Sequence, residues 1–297
     1  MLRDMWKIAA FIGEHSLAKR HRLACYAAVA RWQMGSRLLP GPAVVPFANG
    51  TKLLAERGMT GATGNIYTGL HEFEDMGFLL HFLRPDDLFA DIGANIGSYT
   101  ILASGAIGAR TIAFEPVPAT HEWLRLNIAL NSIDGKVERH RLALGDQPGH
   151  IAFTFDRGPS NRVALATGSD SSSQVEVEIT TLDKVLAGRC PALIKIDVEG
   201  YETATIAGAQ ATLANPQLKA IIMEFNGQGA HFGYDETALR QKLAALGFSE
   251  FSYAPFERKL VALGHAKADN IILVRDRAFV EQRVKQAPAF TVLGEAI

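Results

Sequence analysis

The stretch from Phe89 to Thr100, FADIGANIGSYT, constrains this chain more than any other. An apolar run (Leu88, Phe89, Ala90) ends in Asp91. Gly93, Ala94, Asn95 and Gly97 follow, and a helix-compatible segment opens at Ser98. The pattern predicts a buried parallel strand that runs through a glycine turn into a helix N-terminus. Glycine is expected in such a turn where a small ligand lies almost against the backbone and a Cβ would clash with it.

Two ligand classes use a strand, glycine turn and helix in this way, dinucleotides and S-adenosylmethionine. A dinucleotide turn reads G-x-G-x-x-G and sets a pyrophosphate on the helix N-terminus. Here the spacing is Asp91-x-Gly93-x-x-x-Gly97, with an acid where the first glycine would stand. A carboxylate beside the turn repels a pyrophosphate and suits a ligand bearing an ammonium or sulfonium. The next apolar run, Thr111 to Phe114, ends in Glu115-Pro116, eighteen residues past Gly97. An acid at that place can accept both ribose hydroxyls of an adenosyl group.

Five segments then occur in one order: DIGANIG (91–97), FEPVP (114–118), ALGD (143–146), TLD (181–183) and IKIDVEG (194–200). In these motifs the chain resembles the FkbM-type methyltransferases, from about Tyr67 to Val274. The resemblance implies a class I, Rossmann-like methyltransferase fold: α/β, with a mostly parallel seven-stranded sheet and helices on both faces. It also implies methyl transfer from S-adenosylmethionine to a hydroxyl oxygen, with S-adenosylhomocysteine as product. Family acceptors include saccharides and natural products, which makes a glycan hydroxyl the first expectation and a small natural product the alternative. A Tyr/Gly/Glu segment at the cofactor's methionine end implies Tyr67 and Glu72 here, although Glu72 also fits a surface cap.

Residues 88–146 alternate strand and helix, with helices expected over Ser98 to Ser104 and Thr120 to Leu130 and a third strand over Val137 to Leu144. Alternation of this kind gives a parallel sheet covered on both faces, with ligands beyond the C-terminal strand ends. Asp91, Glu115, Ala143, Leu144 and Asp197 all fall on that edge. With Gly93, Ala94, Asn95, Gly97, Ser98 and Pro116 they form the expected cofactor site. Ile151 to Phe155 and Val175 to Ile179 alternate apolar and polar, as a hairpin does. The Gly158 to Ser173 loop between them reads as an acceptor-gating lid or an inert tip. Further on, strands are expected at Ala192 to Asp197, Lys219 to Phe225, Phe248 to Tyr253 and Asn270 to Val274. Helices are expected at Phe73 to Leu83, Glu202 to Leu213 and Asp235 to Leu246. The final twenty residues show no pattern.

An alcohol must lose its proton to attack a methyl group, and a carboxylate or histidine can take it. The candidates are Asp197, Glu199, Glu224 and His231. Lys195, Asp197 and Glu199 alternate, so an extended segment places them on one side, as a structural ion pair or as catalytic groups. Asp197, Glu199, Glu224 and Asn226 could also hold Mg²⁺, but no spacing demands a metal and none is expected.

Composition narrows the field further. Hydrophobic residues make up 48% and charged residues 21%, which suits a globular chain with ample core. The net charge of −1 provides no general attraction for nucleic acid. Cys25 and Cys190 are the only cysteines, too few for a disulfide framework or metal pattern and consistent with a reducing compartment. No apolar run is long enough to span a bilayer, so the cytoplasm is the expected address.

Residues 1–40 stand apart, with seven Lys/Arg against two acids, a formal +5. Helices are expected near Met5–Phe11 and Leu17–Leu38. The division expected is a basic helical extension over 1–60, a methyltransferase domain over 61–275 and a tail over 276–297. The extension reads as a cap on the catalytic domain or a dimer contact, or as a basic amphipathic surface meeting an anionic membrane or lipid-linked glycan. Rival readings of the whole chain are an NAD-dependent oxidoreductase and a non-catalytic cofactor-binding module.

Overall fold

The computed structural model describes residues 2–154, 162–163, 174–263 and 270–297. Apart from Arg162 and Val163, the Gly158 to Ser173 loop lies outside the described residues. The chain opens with α1 (Leu2–Glu14), α2 (Arg22–Leu38) and a hairpin of β1 (Ala43–Pro46) and β2 (Lys52–Ala55). Helices α3 (Thr60–Thr68) and α4 (Phe73–Phe82) lead into the alternating part. There β3 (Leu88–Ile92) passes to α5 (Ser98–Thr100), which continues as a π-helical stretch over Ile101–Ile107. Next come β4 (Arg110–Phe114), α6 (Pro118–Leu130) and β5 (Val137–His140).

A small second sheet follows, made by β6 (Ala143–Leu144), β7 (Gly149–Thr154), β8 (Arg162–Val163) and β9 (Gln174–Thr180). The chain then forms α7 (Leu182–Leu186), β10 (Leu193–Ile196), α8 (Glu202–Ala207), α9 (Gln210–Ala214) and β11 (Ala220–Glu224). It ends with α10 (Glu236–Ala245), β12 (Ser249–Ala254), β13 (Lys259–Ala262), β14 (Asn270–Val274) and α11 (Arg277–Lys285). A last hairpin pairs β15 (Thr291–Val292) with β16 (Glu295–Ala296).

The main sheet runs β13-β12-β14-β11-β10-β3-β4-β5. Strands β5, β4, β3, β10 and β11 are parallel, and β14 lies antiparallel between β11 and β12. Alternation along the strands builds two cores. Phe89, Leu193, Ala220 and Ile222 face α4 and α11, while Ala90, Ile92, Ile194 and Ile221 face the layer of α7, α8, α9 and α10. On α4 alone, Phe73, Phe78, Leu79, Leu80 and Phe82 are wholly buried, each contributing about 1.5–3 kcal/mol.

The expected α/β class and mostly parallel sheet are present, with local differences. The sheet has eight strands, not seven, because β13 adds to the edge as a hairpin partner of β12. Only Leu260 of that strand is buried, so it carries no alternating signal. The third strand, expected over Val137 to Leu144, divides: β5 ends at His140, and Ala143–Leu144 pair with β9 in the second sheet. The helix expected over Glu202 to Leu213 breaks at Gly208, where a Cβ would lie 1.9 Å from the Gly145 carbonyl oxygen. Gly64 lets α3 close on the His71 ring, 2.2 Å from where its Cβ would sit. The patternless tail holds α11, whose Val280 and Val284 are buried and whose N-cap Asp276 accepts at Oδ1 from Phe279 N.

Asn127 ties these layers together from α6. It is wholly buried; its Oδ1 accepts from Leu54 N at 2.7 Å, and its Nδ2 donates to Leu54 O at 3.1 Å and Ile96 O at 3.0 Å. The N-terminal hairpin and the glycine turn thus hang on one side chain. Asn127→Ala is expected to lower the unfolding free energy by about 2–4 kcal/mol in urea titration, because three backbone groups lose their partner. The same change at Asn131, which makes similar bonds to Lys52 in a more exposed position, should cost less than about 1 kcal/mol.

Candidate active site

Parallel strands deliver their C-terminal ends to one edge, and the polar groups gather there. Asp91 near the end of β3 and Lys195 on β10 are register partners on neighbouring strands, so they share a face of the sheet. Glu224 ends β11 opposite Asn270, which opens the antiparallel β14. Above that face lie the start of α4, with Glu72 and Asp75, and α5, with Tyr99 and Thr100. Asn270 Nδ2 donates to Glu72 Oε1 at 3.1 Å and Asp75 Oδ2 at 2.9 Å, while Tyr99 Oη donates to Glu72 Oε2 at 2.7 Å. Thr100 Oγ1 donates to Asp91 Oδ2 at 2.6 Å, but buried Asp91 Oδ1 has no hydrogen-bond partner among the described residues.

Lys195 is the cation of this group. Its Nζ donates to Asp197 Oδ2 at 2.9 Å and lies 4.8 Å from the centroid of the Tyr99 ring. Burial pulls the ammonium pKa down, but Asp197, Asp91 and Glu72 outweigh it, and the net direction is up. Burial raises the Asp91 carboxyl against the opposing pull of Lys195 and Thr100. Asp75 is pushed up to about 7 by burial, with Glu72 adding to it. Burial pushes Glu224 up to about 8, and the neighbouring charges of Asp197 and Glu199 act in the same direction.

A cleft opens beside this network, between the strand ends and the second sheet. Its walls include Gly93, Asn95, Glu115, Pro116, Ala143, Leu144, Asp197, Glu199 and Tyr201. With its open mouth it measures about 750 Å³, within the roughly 300–1,000 Å³ of small-molecule sites. Glu115 is buried at the edge of β4: Oε2 accepts from Asn95 N and Oε1 from Val117 N, both at 3.0 Å. Burial outweighs those two donors and pushes the carboxyl up to about 7. Tyr201 packs edge-on against Phe232 and Tyr234, extending the wall beyond Glu199.

Eight of the expected site residues therefore line one cleft: Gly93, Asn95, Glu115, Pro116, Ala143, Leu144, Asp197 and Glu199. Others are used differently. Ala94 packs with Leu124 and Ile128 of α6. Ser98 Oγ accepts from Asn65 Nδ2 at 3.0 Å. Tyr67 lies among Trp32, Leu53 and Ile96 and accepts at its hydroxyl from Gln33 Nε2. Glu72 precedes α4 without capping it; its carboxylate instead serves Tyr99 and Asn270. Glu224 lies behind the cleft, and His231 is exposed on the 228–232 turn.

The glycines are needed by the chain itself. A Cβ on Gly93, at φ +76°, would lie 1.9 Å from the Asp197 carbonyl oxygen. One on Gly97, at φ +95°, would lie 2.6 Å from Leu124 Cδ1. The chain's own close approach excludes side chains there. The alternation of Lys195, Asp197 and Glu199 also ends early, because Glu199 has φ +53° and its Oε2 accepts from Gln228 Nε2 at 2.7 Å. Sequence reasoning passed over Asp75, Tyr99, Gln228 and Asn270. Asp75 stands three residues after Glu72 on α4, a helical neighbour that could have been noticed. Among the described residues no group of three or more His, Cys, Asp or Glu is arranged to hold a metal ion.

Several known proteins have similar sequences. Methyltransferase 1 of Beauveria bassiana is 28% identical over 204 residues, spanning 60% of this chain and 81% of the relative. The 31-O-demethyl-FK506 methyltransferase FkbM of Streptomyces tacrolimicus is 27% identical over 203 residues, spanning 57% and 77%. Hexuronic acid methyltransferase AglP of Haloferax volcanii is 31% identical over 152 residues, spanning 50% and 59%. Among solved structures, a precorrin-6y C5,15-methyltransferase from Geobacter metallireducens aligns over 69% of this chain and 87% of its own, with 13% identity and a TM-score of 0.39. The Methyltransferase FkbM domain matches residues 91–250, from the end of β3 into β12. That match covers more than half of the chain, which therefore belongs to the FkbM family of S-adenosylmethionine-dependent methyltransferases.

Proposed function

We propose that the protein O-methylates a hydroxyl group of a sugar or glycan. The observation that carries this reading is the pairing, in one cleft, of a ribose-type acceptor at Glu115 with a carboxylate pair at Asp197 and Glu199. The names of two relatives point the same way, one acting on a hexuronic acid and one on the 31-O position of demethyl-FK506. A small natural product is the second reading, favoured by the latter relative.

The residues present fit an adenosyl sulfonium ligand. Glu115 is fixed by two backbone N–H groups and keeps acceptor capacity toward the cleft. Next to the turn, Asp91 holds a buried carboxylate oxygen without a hydrogen-bond partner among the described residues. Glu115 would take the ribose hydroxyls, and the acid-rich face around Asp91 and Glu72 would favour the positively charged end. When bound, S-adenosylmethionine would supply an electrophilic methyl group, which an acceptor oxygen attacks in line as the methyl–sulfur bond breaks and S-adenosylhomocysteine leaves uncharged.

The rest falls to the chain's own groups. Asp197 lines the cleft and accepts the hydroxyl proton, its orientation set by Lys195. Glu224 keeps its proton at neutral pH, which relieves repulsion among the clustered carboxylates. Glu199 is steadied by Gln228, and the half-buried Tyr201 and its aromatic neighbours offer flat faces to a sugar ring. Placing oxygen and methyl in line supplies much of the rate. In this reading residues 61–275 form the catalytic domain, 1–60 a cap and 276–297 a packed tail.

Incubation with S-adenosylmethionine and a panel of uronic acids, glycans and polyhydroxylated natural products, read by mass spectrometry, tests the function. A base-stable methyl ether supports it; a base-labile methyl ester, or no transfer to any member, refutes it. Asp197→Asn should lower kcat by about 100-fold or more while S-adenosylhomocysteine affinity stays within a few-fold. Wild-type turnover in that variant would remove Asp197 from the proton path.

Cofactor affinity should also depend on pH. Free Glu115 titrates near 7, and ribose hydroxyls that donate to it favour the anion, so its pKa falls on binding. Affinity for S-adenosylhomocysteine is therefore full above about pH 7 and drops by up to about tenfold per unit below it. Calorimetry across this range should show that slope in the wild type and its loss in Glu115→Gln, which also binds more weakly by about 1.5–3 kcal/mol. Binding of NAD in place of S-adenosylhomocysteine would refute the assignment altogether.

A further inference from the structure

Helix α2 presents two unlike faces. Cys25, Ala28 and Trp32 are buried against the body of the protein. On the other side Leu23 is 87% exposed, Leu38 80% and Met34 60%, with Tyr26 also exposed. At 3.6 residues per turn, Leu23, Tyr26, Ala27, Ala30, Met34 and Leu38 fall within an arc of about 120°. Arg22 and Arg31, both exposed, border that arc on either side, and Arg37 lies within it near the C-terminal end. Leu39, just past the helix, is another 80% exposed.

The charge is one-sided over a long stretch. From His15 to Ala55 the chain has no Asp or Glu, against Lys19, Arg20, Arg22, Arg31, Arg37 and Lys52. Of these, Arg20 is engaged by Glu295, whereas among the described residues the guanidinium of Arg37 is held only by Gln33 of its own helix. Solvated leucines on a folded surface lose contact with nothing and gain nothing unless they are covered. A cover for this face must offer an apolar interior and negative charge at its border.

We propose that the outer face of α2 docks on an anionic lipid bilayer, with α2 lying in the plane of the headgroups. Leu23, Met34 and Leu38 enter the acyl boundary, Tyr26 sits at headgroup level, and Arg22, Arg31 and Arg37 meet lipid phosphates. The protein rests on the bilayer without crossing it: no helix among the described residues is long and apolar enough to do so. A second copy of the chain is the poorer occupant, because a twofold contact through this face sets arginines against arginines with no acid on either helix.

The test is co-sedimentation of the full chain with vesicles of phosphatidylcholine, alone or mixed with phosphatidylglycerol. The wild type should sediment with the mixed vesicles and not with phosphatidylcholine alone, and added salt should release it. Arg22→Gln/Arg31→Gln/Arg37→Gln should reduce partitioning by about 100-fold, at about fivefold per arginine. Leu23→Ser/Leu38→Ser should abolish it while the melting temperature stays at the wild-type value, since both side chains are exposed. The proposal is overturned if the wild type ignores mixed vesicles, or if both variants bind like the wild type. It is equally overturned if sedimentation velocity finds a dimer that Leu23→Ser/Leu38→Ser dissociates, which would assign the face to a second copy.

Discussion

Lys195 places an ammonium group under the C-terminal edge of the sheet, with Asp91 beside it on the next strand and Asp197 two residues further along its own. A lysine in that position would be very costly alone. Asp91, Glu72 and Asp75 would be equally costly without a cation, since Asp91 is wholly buried and Asp75 nearly so. Each makes the other tolerable, and the arrangement can be removed only as a whole. Its consequence for the cleft is direct. Asp197 follows the last residue of β10, where a loop begins, and the bond from Lys195 is what gives its carboxylate a defined direction. The network therefore sets the position of an acid that joins the buried cluster to the cleft wall.

The same edge explains why the turn after β3 holds glycine. Gly93 N and Ala94 N both donate to the Phe114 carbonyl, pulling the turn across the end of β4. That brings Gly93 against the backbone of Asp197, so β3, β4 and β10 touch at a single point. Glu115 follows Phe114 and accepts from Asn95 of the same turn. Glu115, the turn and Asp197 are thus parts of one backbone junction. A shift in any of the three strands would misplace all of them, which is the preorganisation that an in-line displacement needs.

Much of this could be read before folding. Glycine spacing after an apolar run, acids at strand ends and the alternation of strand and helix were enough for the parallel sheet and for Glu115 and Asp197 in one cleft at its C-terminal edge. What could not be read was which side chains line the cleft and which pack within the chain. Ala94, Ser98 and Tyr67 have as neighbours Leu124, Asn65 and Gln33, residues 30 to 34 positions away in sequence. Local pattern carries no information about such pairings. Asn270 was hidden for the same reason: its partners Glu72 and Asp75 are about two hundred residues earlier. The extra edge strand β13 and the split of β5 from β6 escaped because short strands with one buried face look like loops.

The N-terminal helices are bound into this scheme rather than tethered to it. Gln33 of α2 donates to Tyr67 of α3; Asn65, one half-turn earlier on α3, donates to Ser98 where α5 begins; and Tyr67 itself packs against Ile96 inside the turn. From the buried face of α2 to the glycine turn there are two side-chain hydrogen bonds and one short helix. Trp32 and Tyr67 share an apolar cluster with Leu53 and Ile101, so the connection is packed as well as bonded. A surface held against the outer face of α2 would then hold the cofactor turn at a fixed distance and tilt from it. Close-packed interiors transmit position in this way because they have little free volume in which to yield.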